Sequence, residues 1–212
     1  MGLASTARAL LALCWLSLAA GCGGGQENGG VATIAPADLA LFELDGSAVY
    51  PLREPVAEFV LFLFTRTDCP ISNRYAPEVK RLMQRFGPLG VELVLVYPNA
   101  TQTSAAIREH LVDFEYSCRQ LRDPHHDLVR LADASVTPEA ALFDRKGELR
   151  YAGRIDDRFT DFGKARQEPN SRDLENALVA VTSNGRVPVL RTQAVGCFLS
   201  DLAMEKRESA DL

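Results

Sequence analysis

The sequence is short of positive charge, of histidine and of long apolar runs. It carries 23 lysines and arginines against 28 aspartates and glutamates, a formal net charge of −5. A chain with no basic excess lacks the electrostatic footprint of nucleic-acid binding, so nucleic acid is not expected as a partner. There are only 3 histidines, and His125 and His126 stand side by side in DPHHD. Adjacent side chains point in different directions, so the pair reads as exposed loop histidines, with no metal and no other cofactor expected. The apolar run Ala9 to Ala20 is interrupted at Ser17 and is too short to cross a bilayer. No internal repeat is visible.

That run has another reading. Arg8 precedes it as the one charge among residues 1–21, and small residues (Ala19-Ala20-Gly21) lead into Cys22. This is the pattern of an export signal, here similar to a bacterial lipobox, with lipid expected on Cys22. Leu18, rather than position 19, holds the leucine such a box prefers. Gly23 to Gly30, glycine-rich, then serves as a tether. The expected organisation is a signal over 1–21, a tether over 22–35, a domain over 36–160 and an extension over 161–212. The protein is thereby expected on the periplasmic side of a bacterial envelope, anchored to the membrane by lipid. Loss of Arg8 leaves 22 basic against 28 acidic residues, net −6, on 191 residues. That length suits one domain with a full core.

Cysteine is scarce as well: 5 in all. With Cys14 removed and Cys22 lipidated, Cys69, Cys118 and Cys197 remain. An odd number of thiols leaves at least one free or paired with another molecule, which favours redox chemistry over a structural disulfide framework.

The chain is organised around Phe59 to Phe86. Val60 to Phe64 (VLFLF) is the near-continuous apolar run of a strand buried on both faces. Cys69 follows four polar residues later. Tyr75, Val79, Leu82, Met83 and Phe86 then recur at helical spacing up to Gly87-Pro88. Cys69 therefore stands where a strand ends and a helix begins, where free N–H groups and the helix dipole favour thiolate. Val91 to Tyr97 reads as a second buried strand. Thr103 or Ser104 caps a helix, Tyr116 to Leu121 is a short strand, and Asp127 to Ala132 makes one or two helical turns. Asp45-Gly46 between apolar flanks marks a hairpin.

The strand, Cys69-Pro70 and Ala76-Pro77 resemble the active-site segment of the thioredoxin superfamily, whose helix-kinking proline stands eight residues after the first cysteine, as Pro77 does here. The opening hairpin resembles those of the AhpC/TSA–redoxin group. The resemblance covers Leu41 to Gly153. It implies an α/β thioredoxin-like fold: a central mixed β-sheet flanked by helices, with an N-terminal β-hairpin and a C-terminal helix–strand extension. It also implies that Thr137-Pro138 is the cis-proline step facing the reactive cysteine, with the Thr137 backbone pairing with a bound thiol substrate. The chain departs from the family at Ser72, where CxxC would place its second cysteine; the motif is CPIS.

Three activities fit that segment. A peroxiredoxin would carry Pro and Thr or Ser at the positions held by Phe62 and Arg66. A copper chaperone would carry a second cysteine where Asn73 stands. Disulfide exchange needs only a second thiol, from this chain or from a partner. Cys118, at the start of its strand, is expected at the opposite sheet edge and inert. Cys197, preceded by Gly196, is the favoured partner. The expectation is an envelope thiol–disulfide oxidoreductase. Cys69 is its nucleophile, Cys197 the releasing thiol and Ser72 a hydrogen-bond partner of the thiolate, and it acts on a thiol or disulfide protein or a small thiol. A one-Cys peroxidase and a non-catalytic binding module are the alternatives. Gly153 to Arg158 reads as a solvated, self-paired charged loop. Asn170 or Ser171 is expected to cap a helix ending at Asn184-Gly185, and Val187 to Leu190 to form a short strand.

Overall fold

The computed structural model describes residues 34–53 and 55–199. The signal, Cys22 and most of the tether lie outside them. Among the described residues, no helix is long and apolar enough to cross a membrane.

A seven-stranded sheet runs in the order β2-β1-β5-β4-β3-β7-β8. Its strands, in chain order, are β1 (Leu41–Phe42), β2 (Ala48–Val49), β3 (Phe59–Phe64), β4 (Val91–Tyr97), β5 (Arg119–Arg122), β7 (Glu139–Asp144) and β8 (Leu149–Gly153). The helices are α1 (Pro70–Arg74), α2 (Ala76–Phe86), α3 (Ser104–Asp113), α4 (Asp127–Ala132) and α5 (Asp173–Thr182). Four short strands lie outside the main sheet: β6 (Val136–Thr137) pairs with β11 (Cys197–Phe198), and β9 (Phe159–Asp161) pairs with β10 (Lys164–Ala165). The sheet is mixed, because β3 pairs parallel with β4 and antiparallel with β7. This is the thioredoxin-like fold expected above.

The alternation of side chains along β3 explains the VLFLF run. Leu61 and Leu63 face a core shared with α2, α3 and α5, while Val60, Phe62 and Phe64 face a second core that includes Leu128, Val129 and Ala132 of α4. Both faces are covered, so both sets of positions must be apolar. The hairpin turns at Asp45-Gly46, where Gly46 takes φ +90° and Asp45 accepts from the Ser47 N–H and hydroxyl. Thr103 caps α3 by accepting from the Ala106 N–H at 3.2 Å.

Four local expectations are corrected. His125 is exposed, but His126 is buried: its backbone takes the left-handed conformation ahead of α4, and its Nε2 sits 3.0 Å from the Pro98 carbonyl. The 153–158 run is not a solvated loop. Ile155 and Asp156 are buried and Arg154 pairs with Asp173 at 2.7 Å, because the run passes beneath the start of α5. Neither Asn170 nor Ser171 caps α5. The N-cap position is Arg172, without a side-chain cap, and the Asn170 and Ser171 N–H groups instead donate to Asp157. Val187 to Leu190 is not a strand; the Leu190 carbonyl accepts from the Ala152 N–H of β8, and one isolated bridge follows at Arg191. Pro188 lacks an N–H donor, which works against a regular ladder there.

Candidate active site

The site is built where β3 ends. Thr65 N–H extends the ladder to the Val96 carbonyl, and the chain turns through Arg66 to Asp68 into α1. Cys69 occupies the N-cap of α1 in extended conformation, with its Sγ 3.5 Å from the Ser72 N–H donor. Pro70 at the first helical position costs nothing, since its N–H would be unpaired there. Tyr75 separates α1 from α2, and Pro77 enters α2 without a donor.

Opposite Cys69 stands β6. The Thr137–Pro138 peptide bond is cis. The Thr137 carbonyl accepts from the Cys69 thiol at 3.1 Å. β11 runs antiparallel to β6, with Cys197 registered on Thr137 and Phe198 on Val136. The register carries the Cys197 Sγ to 2.6 Å from the Cys69 Sγ, both cysteines being thiols. The structure thus brings Cys69, Cys197, Ser72, Thr137 and Pro138 into one cluster. Cys118 stays outside it: it directly precedes β5, whose parallel pairing places Arg119 beside Val94, midway along β4. The Ser72 backbone, rather than its hydroxyl, makes the aligned hydrogen bond to sulfur. The Ser72 and Thr137 hydroxyls are buried with no hydrogen-bond partner among the described residues.

The three thiols differ electrostatically. Burial works against a Cys69 thiolate, but hydrogen bonding from Cys197 and from Ser72 outweighs it and leaves the Cys69 pKa below the ordinary thiol value. Cys197 moves the other way, pushed up to about 12 by burial and by the neighbouring Cys69. Burial pushes Cys118 up to about 11. Of the pair in contact, Cys69 is the one that gives up its proton more readily.

Several residues that brace the site left no motif in the sequence. His110, buried on α3, holds Asn73 Oδ1 through Nε2 at 2.9 Å and contacts the Tyr97 hydroxyl through Nδ1 at 2.9 Å. Asn73 in turn donates to the Thr67 carbonyl at 3.1 Å, tying α1 to the turn before Cys69. The amide oxygen accepts, so Nε2 carries the proton and Nδ1 accepts from Tyr97. Burial lowers the His110 pKa, in keeping with this neutral tautomer. Tyr75 donates to buried Asp156 at 2.5 Å, which fixes the α1–α2 junction on the 153–158 run. Arg66 forks onto Asp68 through Nε and Nη2, and its Nη1 reaches the Phe198 carbonyl at 3.4 Å. The His110, Tyr75 and Arg66–Phe198 contacts join residues 13 to 132 positions apart in sequence. Beside Pro70 and Ile71 lies a cavity of about 140 Å³ closed by Arg74, Phe159, Phe162 and Gly163.

Comparison with known proteins agrees with this architecture. Residues 39–152 match the AhpC/TSA family. No curated protein matches the chain. A hypothetical protein from Sinorhizobium meliloti 1021 is similar in structure with a TM-score of 0.65 and 21% identity, over 77% of this chain and 91% of that one. An uncharacterised conserved protein from Geobacillus kaustophilus gives 0.66 and 23%, over 76% and 87%. The thioredoxin domain of a thiol-disulfide oxidoreductase from Bacteroides vulgatus gives 0.50 and 16%, over 72% and 99%. At these identities the likeness is one of fold.

Proposed function

The chain belongs to the AhpC/TSA family, and from that premise we propose that it is a thiol–disulfide oxidoreductase using Cys69 and Cys197 as its redox couple. The observation that carries this reading is the 2.6 Å approach of the two sulfurs. Disulfide formation asks for a small adjustment of side chains and no rearrangement of the fold.

The asymmetry of the two thiols assigns their roles. The thiolate is the attacking species, and Cys69 is the thiol whose surroundings stabilise it. The Cys69 thiolate attacks one sulfur of a partner disulfide and expels the other as a thiolate, giving a mixed disulfide on Cys69. Cys197 loses its proton to the departing thiolate and attacks the Cys69 sulfur. The partner's remaining thiolate leaves and takes up a proton. The partner has gained two electrons and two protons, and the chain holds a Cys69–Cys197 disulfide. The same steps in reverse oxidise a dithiol. The chemistry needs no metal or cofactor. Among the described residues no other thiol stands in contact with Cys69, so the missing cysteine of CPIS is supplied from β11. The compartment proposed for this couple is the oxidising bacterial envelope, reached by the 1–21 signal and held by lipid on Cys22.

Exchange with a small disulfide tests the roles. Cys69→Ser is expected to drop to the uncatalysed rate. Cys197→Ser is expected to stall as a mixed disulfide on Cys69. Undiminished turnover in the Cys69→Ser chain refutes the assignment.

A further inference from the structure

Two apolar side chains stand in water at the edge of the sheet remote from Cys69. Val56 is 95% exposed and Leu89 55% exposed, and neither belongs to either core. Val56 precedes β3 in the run Pro55-Val56-Ala57, and Leu89 precedes β4 on the Gly87–Leu89 turn. β3 and β4 run parallel with Phe59 beside Val91, so these two approaches lie side by side. The Phe59 N–H donates to the Gly90 carbonyl at 3.0 Å and holds them together. The β7–β8 turn completes the edge. Asp144 at the end of β7 stands opposite Phe59, and Arg145 reaches both the Glu58 carboxylate at 3.1 Å and the Val56 carbonyl at 3.5 Å. Arg145 and Glu58 offset each other beside Val56, so a contact made here is set by apolar surface rather than by net charge.

The chain also enters the domain at this edge. Pro36 lies against the β7–β8 turn, where a Cβ on Gly147 would come within 2.8 Å of its ring. Residues 23–35 separate Pro36 from Cys22, and a glycine-rich chain of that length spans about 20 Å on average. The redox site lies the other way. β3 is six residues long, and at about 3.3 Å per residue its far end, which leads to Cys69, stands about 17 Å from the Phe59 end.

We propose that the edge formed by Val56, Leu89 and the β7–β8 turn is a bilayer-contact surface, seated at the headgroup–acyl boundary of the envelope membrane with Cys69 and Cys197 turned away from it. The proposal rests on the envelope address given above and adds the orientation in which the couple is presented. The tether supplies proximity, so two apolar side chains of modest affinity are enough to bias how the domain sits on the lipid.

The test exploits the absence of tryptophan after Cys22: Trp15 is the only one in the sequence. A single introduced tryptophan therefore reports on its own surroundings. The mature chain is prepared with a polyhistidine tag in place of Cys22 and held on phosphatidylcholine vesicles by a nickel-chelating lipid. Val56→Trp is expected to shift its emission to the blue on the vesicles and to lose intensity when the acyl chains are brominated. Leu89→Trp is expected to behave likewise, and adding Val56→Asp to it is expected to reduce the loss. Phe162, 66% exposed beside Pro70 at the redox site, is the control position, and Phe162→Trp is expected to change in neither respect. Mixing phosphatidylglycerol into the vesicles is expected to leave the response at position 56 unchanged. Equal responses at positions 56 and 162, or none at 56, overturn the proposal. So does a blue shift at 56 that grows with protein concentration in the absence of vesicles, which assigns the edge to a second copy of the chain. The nickel anchor holds the chain whether or not Cys22 carries lipid. Failure of the surface is thus read on these vesicles, and failure of the lipid anchor is read separately, by fatty-acid labelling of the chain with Cys22 intact.

Discussion

At the scale of single residues, burial and hydrogen bonding together set charge. Cys69 and Cys197 are the functional instance: one environment draws two identical side chains in opposite directions. Asp123 is the structural instance. It is 1% exposed and accepts from the Asp127 and Val129 N–H groups at the start of α4. Burial pushes its carboxyl up to about 6 from an ordinary 3.8. Between those values the folded chain keeps a proton that the unfolded chain has lost, so stability falls as pH rises through the window. Two units correspond to about 3 kcal/mol. Asp123→Asn removes that slope. It also leaves one N–H facing an amide nitrogen, a cost that does not vary with pH. Urea unfolding from pH 4 to pH 6 is expected to show the wild type losing stability relative to the variant. Parallel curves contradict the assignment.

At the scale of elements, legibility followed the reach of each signal. β3, α2 and β4 declared themselves because burial on two faces or on one stripe writes a period into adjacent residues. Pro138 before an apolar strand was equally local. What stayed hidden depends on contacts between distant segments. Nothing in RIDDR tells that Asp156 meets the Tyr75 hydroxyl, and nothing in EHLVD tells that His110 holds Asn73. β11 is the intermediate case. AVGCFL offers too few residues for a period, and its cysteine and preceding glycine gave only a preference for Cys197 over Cys118. The register of β11 on β6 is long-range, and it decides which thiol meets Cys69.

At the scale of the whole molecule, the proposed nucleophile comes from the AhpC/TSA segment and the proposed second thiol from the C-terminal extension. The two halves of the proposed couple come from the ends of a 128-residue separation, so the couple exists only in the folded chain. The proposed envelope address belongs to this scale too. Cys22→Ala is expected to move the protein from the membrane fraction to the soluble fraction in a bacterial host and to abolish labelling by a radioactive fatty acid. Retention of the label refutes lipid on Cys22. The central claim is the couple itself, and it is tested most directly by differential alkylation of the purified full chain before and after dithiothreitol, followed by peptide mass spectrometry. A Cys69–Cys197 disulfide that forms under mild oxidant and opens with reductant, with Cys118 alkylated as a free thiol throughout, is the expected result. Cys69 bridged to Cys118, or both Cys69 and Cys197 remaining free thiols under oxidant, would contradict it.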